Sequence, residues 1–193
     1  MRKNTRKRVA FAILNFMLFM GILLPNNAEA ASKRIEYSNG DVYVGNVILD
    51  EDISDEEDYE EEEYEYIYYK QGKGKYYCSD GTKISGIWDQ NYLKGKATVT
   101  YKNKDKFTGY FSNDVRNGSG TYKFKNGDKF KGNWKKDKMN GKGTYTWKNK
   151  NYVKGTWKNG KLHGKATLKI KKYIYTIQVN KGKLKKVYSR KRV

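Results

Sequence analysis

The chain has 193 residues, 32% of them charged, with a formal net charge of +20, one cysteine and one histidine. Cys78 alone excludes an internal disulfide or a cysteine-based zinc cluster, and His163 alone excludes a metal site built on imidazoles. An apolar share of 37%, rich in Tyr, Phe and Trp, excludes a deep aliphatic core, and the charge points to anionic partners without naming one.

In chain order the first element is a targeting segment. Arg2, Lys3, Arg6, Lys7 and Arg8 precede an apolar run from Val9 to Leu24, and Pro25 ends it. Ala28-Glu29-Ala30 then places small residues where a signal peptidase reads. Residues 1–30 are expected to be a signal peptide, making the mature protein secreted, periplasmic or cell-surface. The alternative is a membrane tether through an uncleaved signal anchor, although the run is shorter than the roughly 20 residues a spanning helix needs. Ala31, not Cys, follows the expected cut, which argues against a lipoprotein anchor.

Residues 31–193 are expected to form one repeat domain. Gly72, Gly95, Gly118, Gly141 and Gly164 recur every 23 residues, and each is followed two positions later by Gly74, Ala97, Gly120, Gly143 or Ala166. A second ladder, Gly86, Gly109, Gly132 and Gly155, keeps the same step, followed by Trp88, Phe111, Trp134 and Trp157. Within a unit the pattern alternates with period two, the strand signature. Tyr122 and Phe124 alternate with lysines, Asn126-Gly127-Asp128 reads as a three-residue turn, and Phe130, Gly132 and Trp134 alternate with polar residues. Lys135 to Asn140 is expected to turn the chain into the next unit. The prediction is an all-β, single-layer antiparallel meander of about five hairpins. The strand glycines are expected to lie beneath an aromatic ring from a neighbouring strand.

These residues resemble the MORN repeat family, whose pattern reads roughly Y-x-G-x-W-x-x-G-x-x-x-G-x-G. The matching stretches run from Phe130-Lys-Gly132-Asn-Trp134 to Gly141-Lys-Gly143, and from Val153-Lys-Gly155-Thr-Trp157 through Gly160 to Gly164. Weaker copies run from Phe107 to Gly120 and from Ile84 to Ala97, and Tyr43-Val-Gly45-Asn-Val47 begins another. Ile84 and Val153 replace the leading aromatic, and Asp114 and Asp137 stand where the middle Gly is expected. Gln178 and Asn180 fall at the Gly and Trp positions of the last unit, which suggests a terminal cap. The resemblance implies a curved sheet used as a binding or scaffolding surface, without chemistry. It leaves membrane phospholipid, protein partners and self-association open.

The face opposite the rings is expected to be a lysine face. A turn over residues 126–128 would set Lys125 across from Lys129, Lys123 across from Lys131, and Lys102 across from Lys106. Lys102, Lys125, Lys148 and Lys171 would form a ladder, supported by Lys154, with steps of about 9–10 Å. Two readings stay open for these lysines. They keep an edge-rich sheet soluble, or they dock an anionic lipid or envelope polymer. A protein partner on the aromatic face (Trp88, Trp134, Trp157) is the further alternative. Between Asp50 and Glu65, twelve of sixteen positions are Asp or Glu, so an acidic low-complexity insert is expected at about 48–66. Residues at about 181–193 are expected to be a flexible basic tail.

Nothing recurs as a nucleophile, base and orienting acid, so no enzyme, cofactor, catalytic residue or metal site is expected. His163 is placed in a solvent-facing turn, and Cys78 as a small hydrophobe on the aromatic face, where other units carry Tyr101, Phe124, Trp147 and Ile170. Nucleic acid is disfavoured, because rings and lysines fall on opposite faces and stacking with charge tracking needs both together.

Overall fold

The computed structural model describes residues 31–49 and 68–193. The expected signal segment (1–30) and residues 50–67, which hold all but the first two positions of the expected acidic insert, lie outside the described residues. Thirteen antiparallel strands form one open sheet in sequence order, and no described residue is helical. They are β1 (Ala31–Glu36), β2 (Val42–Leu49), β3 (Tyr68–Tyr77), β4 (Lys83–Asp89), β5 (Tyr92–Thr100) and β6 (Lys106–Ser112), followed by β7 (Val115–Lys123), β8 (Lys129–Lys135) and β9 (Lys138–Thr146). The last are β10 (Tyr152–Lys158), β11 (Lys161–Ile170), β12 (Tyr173–Asn180) and β13 (Lys183–Arg192). The all-β meander read from the alternation is therefore what the chain builds. The first two positions of the expected insert, 48 and 49, belong to β2.

Two kinds of turn alternate along the sheet. On one rim, three-residue loops close β1–β2, β3–β4, β5–β6, β7–β8 and β9–β10. In the β7–β8 loop, Gly127 N–H donates to Phe124 O at 3.0 Å and Phe124 N–H donates to Asp128 O at 3.0 Å. The loop is thus Lys125-Asn126-Gly127, one residue earlier than expected, with Gly127 at φ 92° supplying the left-handed third position. The expected lysine pairings are corrected accordingly. Lys123 faces Lys129, Lys131 faces Thr121, and Thr100, not Lys102, faces Lys106. Asp128 sets this register. It pairs with Phe124 across the loop mouth, and its own backbone N–H donates to Asn126 Oδ1 at 2.9 Å.

On the other rim, two-residue turns have both central residues left-handed, as in Asn113-Asp114 (φ 48° and 64°) and Lys136-Asp137 (φ 48° and 62°). The expected turn from Lys135 to Asn140 is therefore shorter, because β9 begins at Lys138. His163 likewise lies within β11, exposed, facing Thr156, and not in a turn. Asp and Asn replace the middle Gly here without loss, since their short polar side chains tolerate this region and bond locally. Asn91, Asp114 and Asp137 accept the backbone N–H of Lys70, Leu93 and Arg116 from the preceding unit, at 2.8, 2.7 and 3.1 Å.

The glycine ladders have separate mechanical tasks. Gly118, at φ 108°, lies where the β6–β7 register shifts and the strand bulges. Gly120 instead faces Gly109 directly, and a Cβ on it would lie 2.4 Å from Phe107 Cζ. The ring over the glycine pair lies, for Gly120, on the neighbouring strand as expected, and, for Gly109, on its own strand two residues earlier. Phe130 covers Gly132 and Gly143 in the same way, and Tyr43 covers Gly45 and Gly74. Lying flat on paired glycines, Tyr43, Phe107 and Phe130 are fully buried in a single-layer sheet. Each then receives the tryptophan of the following unit edge-on, with centroids 5.8 Å apart for Tyr43–Trp88 and 5.2 Å for both Phe107–Trp134 and Phe130–Trp157. Such pairs contribute about 0.5–1.5 kcal/mol each beyond their buried area.

The last hairpin breaks phase. β11 and β12 join through only two residues, Lys171 and Lys172, so Ile170 faces Tyr173. The shortened turn slides β12 by one residue. Ile177 faces Ala166 and Val179 faces Gly164, so these two, and not Gln178 and Asn180, occupy the Gly and Trp positions. The expected basic tail is also corrected: residues 183–192 form β13, paired with β12 and exposed throughout.

Candidate anion-binding face

The described residues carry eight carboxylates, and their placement shapes the site. Asp41, Asp80, Asp105, Asp114, Asp128 and Asp137 lie in turns, while Glu36 and Asp89 end their strands. None lies inside a strand. Ion pairs among the described residues are three, Arg34–Glu36, Lys94–Asp89 and Arg116–Asp137, all at strand ends or turns. Apart from Lys94, which pairs with Asp89, the strand lysines of the polar face therefore have no ion-pair partner among the described residues, where 36 Lys and Arg meet eight carboxylates.

Register decides which lysines meet. Lys106 on β6, Lys123 on β7 and Lys129 on β8 are consecutive partners across three strands, bounded by Thr100 and Thr146. Directly opposed side chains start about 4.5–5.5 Å apart, so three ammonium groups repel along one row. Lys131 lies one step along the strands between Thr121 and Thr144, and Lys154 lies between Thr144 and Thr167. Hydroxyls thus interrupt cations in this second row, an arrangement suited to anionic oxygens, which accept from both. Toward the N-terminal end the same face forms a groove of about 600 Å³, bordered by Ser32, Lys73, Lys75, Ser85, Lys96 and Thr108.

Lys102, Lys125, Lys148 and Lys171 stand away from those rows, at equivalent positions on the loop rim. Their main-chain N–H groups donate to the preceding loop, at Thr82 Oγ1 (3.3 Å), Asp105 Oδ1 (2.8 Å), Asp128 Oδ1 (2.9 Å) and Asn151 Oδ1 (2.9 Å). The acceptor's identity is matched elsewhere in the chain. Asp41, Asp105 and Asp128 each take a second bond from a tyrosine hydroxyl, Tyr76, Tyr122 and Tyr145. Where the acceptor is Thr82 or Asn151, the tyrosine position holds Val99 or Leu168. The Tyr145 hydroxyl, followed by the Lys148 N–H, holds the Asp128 carboxyl below its ordinary range. Burial, followed by Asp128, pushes the Tyr145 phenol up to about 12. This pairing was readable in the sequence as a Tyr 17 residues after an Asp, a spacing that the ladder reading passed over.

Segregation of rings and cations is incomplete. Lys70 and Arg116 enter the aromatic face: Arg116 lies 4.6 Å from the Trp134 ring centroid, and Lys70 5.2 Å from that of Tyr76. Burial pushes the Lys70 ammonium down. Conversely, Tyr110, paired with Lys96, stands exposed on the polar face. The repeat tryptophans expected to offer a partner surface are consumed inside the array, since Trp88, Trp134 and Trp157 are only 4–8% exposed. Cys78 begins the β3–β4 loop, partly buried, at the position other units give to Tyr101, Phe124 and Trp147.

The comparison with protein families agrees with this architecture. The MORN repeat family model matches residues 68–83, 107–129, 130–152 and 154–171. No curated protein matches the chain. Among solved structures, the chain is similar to the TCP domain of SAS-4 (dCPAP) of Drosophila melanogaster, solved in complex with a proline-rich motif of Ana2 (dSTIL). That likeness has 11% identity and a TM-score of 0.36, covering 88% of this chain and 98% of the other.

Proposed function

Because the chain belongs to the MORN repeat family, whose repeats serve as binding and scaffolding units, we propose that it is a non-enzymatic module docking on an anionic surface through its lysine face. The surface is a membrane phospholipid layer or an anionic envelope polymer, met outside the cytoplasm if residues 1–30 act as a leader. One observation carries the reading: Lys106, Lys123 and Lys129 are adjacent in register on three strands, and no described strand interior places a carboxylate among them. Like charges so placed destabilise the free sheet, and a polyanion relieves that repulsion. The hydroxyls of Thr100 and Thr146 at the row's ends add donors to its oxygens.

The test compares two triple variants of equal charge on vesicles containing about one-third anionic lipid and on an immobilised polyphosphate polymer. Lys106→Gln/Lys123→Gln/Lys129→Gln should weaken binding at least about tenfold more than Lys183→Gln/Lys185→Gln/Lys186→Gln, with a shallower salt dependence. Equal losses would mean that net charge alone acts, and the docking row would be wrong. The vesicle and polymer arms separate the two sources of anion.

A further inference from the structure

The end of the array differs from its interior at one seat. In the inner units the aromatic residue that follows each strand glycine faces a bulge glycine: Trp88 faces Gly72, Phe111 faces Gly95, Trp134 faces Gly118 and Trp157 faces Gly141. For Trp88, Trp134 and Trp157 the seat is completed by the leading ring of the preceding unit, and Trp157 Nε1 also donates to Gly143 O at 3.3 Å. At the corresponding place after the register slip, Gly164 faces Val179. The leading residue there is Val153, smaller than the Phe or Tyr of other units.

Leu162 and Ala166 take the space of the missing leading ring over Gly155, but Val179 does not fill the place of a tryptophan, and a pocket of about 380 Å³ remains, bordered by Val153, Trp157, Leu162, Leu168, Val179 and Leu184. That volume lies within the roughly 300–1,000 Å³ of ligand-binding clefts. Three bordering residues, Val153, Leu162 and Leu168, are one period on from Phe130, Met139 and Tyr145, the positions surrounding the Trp157 seat. Three of the four corresponding seats in the array, those facing Gly72, Gly118 and Gly141, hold a tryptophan, and this is the chemistry such a place accepts.

The surroundings restrict the occupant further. From Lys138 to the C-terminus the chain carries eighteen Lys and Arg and no Asp or Glu, and Lys161 borders the pocket. Leu184 belongs to β13, the sheet's edge strand, whose ten residues are all exposed. Its outer main-chain groups can pair with an extended peptide. We infer that this pocket receives a tryptophan side chain presented by an acidic, extended segment of a partner protein, laid along β13. The indole enters beside Val179, the peptide backbone continues the ladder, and its carboxylates meet the lysines of β13.

The probe is a labelled peptide, Glu-Asp-Glu-Trp-Glu-Asp, with its Trp→Ala counterpart, titrated into the protein by anisotropy at about physiological and about 1 M salt. The tryptophan peptide should bind at least about tenfold tighter at both. Val179→Trp, which fills the seat from within, should bring the two peptides to equal, weak affinity. Leu184→Asn, at a site 58% exposed in the free protein, should reduce the discrimination without disturbing the fold. That variant decides the matter should Val179→Trp fail to fold. Equal binding of both peptides to the wild type would overturn the proposal, as would full discrimination retained in a folded Val179→Trp or in Leu184→Asn. The Lys106/Lys123/Lys129 triple variant should keep the discrimination, so this outcome stands apart from that of the polyanion test.

Discussion

Asp128 links three levels of the molecule through one carboxyl group. Its backbone closes the β7–β8 loop, one oxygen accepts the Lys148 N–H of the next loop, and the other accepts the Tyr145 hydroxyl at 2.7 Å. Asp105 does the same with Lys125 and Tyr122, and Asp41 with Ser79 and Tyr76. Because the folded state holds these carboxyls below the ordinary aspartate value of 3.8, they favour folding above about pH 4, and that contribution is lost as pH falls through the folded value. The phenols shift the opposite way. Tyr145, raised to about 12, favours folding below its unfolded value near 10 and loses that contribution as pH rises toward 12. Asp128→Asn should therefore lower stability at pH 7 yet differ little from wild type at about pH 2, as read by urea unfolding. A deficit that persisted undiminished at acid pH would show that the carboxylate's charge is not what matters.

At the scale of the strand pair, two packing solutions coexist in one array. Phe107, Arg116 and Gly120 form one set, as do Phe130, Met139 and Gly143; Ile84, Leu93 and Ala97 form the other, as do Val153, Leu162 and Ala166. In the first a ring lies on two glycines. In the second Ala Cβ and a leucine methyl take the ring's space, so a Cβ on Gly86 would meet Ala97 Cβ at 2.6 Å and Leu93 Cδ1 at 2.8 Å. Gly120→Ala alone should cost about 1–3 kcal/mol, since the added methyl must displace the rigid Phe107 ring and also crowds Trp134 Cδ1 at 3.3 Å. Converting the whole set, with Phe107→Ile, Arg116→Leu and Gly120→Ala, should restore most of that loss, giving a coupling energy of about 1 kcal/mol or more in denaturation cycles. Additive losses would refute the exchange of volumes. The individual departures Ile84, Val153, Ala97 and Ala166 were visible in the sequence. Their mutual dependence was not, because it arises where two paired strands share a single volume.

The whole molecule is a charged ribbon. The formal net charge is +20; residues 31–49 and 68–193 carry +28, offset by the twelve carboxylates between Asp50 and Glu65, with most strand cations over one face and the described carboxylates confined to the rims. Self-repulsion of this size opposes compaction, so the melting temperature should rise as sodium chloride goes from about 10 to 500 mM, where screening shortens from about 30 Å to a few ångströms. A flat response would mean that the lysine rows contribute little to the folded state's free energy. Since each unit touches only its neighbours, the array's ends are held from one side. The C-terminal end is also where the two-residue turn at Lys171-Lys172 changes phase, and that single missing loop residue sets Val179 opposite Gly164, at the border of the apolar pocket.

Periodicity alone established the all-β meander, the 23-residue unit and the opposition of a ring face to a lysine face, because strand alternation and turn residues are local properties that repeat. Contacts between particular side chains were a different matter. A one-residue error in placing the loop around Gly127 changed every expected lysine partner, and one fewer residue at Lys171-Lys172 moved Ile177 and Val179 into positions the spacing assigned to Gln178 and Asn180. Cross-strand register is set by hydrogen bonding at the loop mouth and by how rings fit over glycines. Both are relations between segments, and spacing along the chain does not contain them.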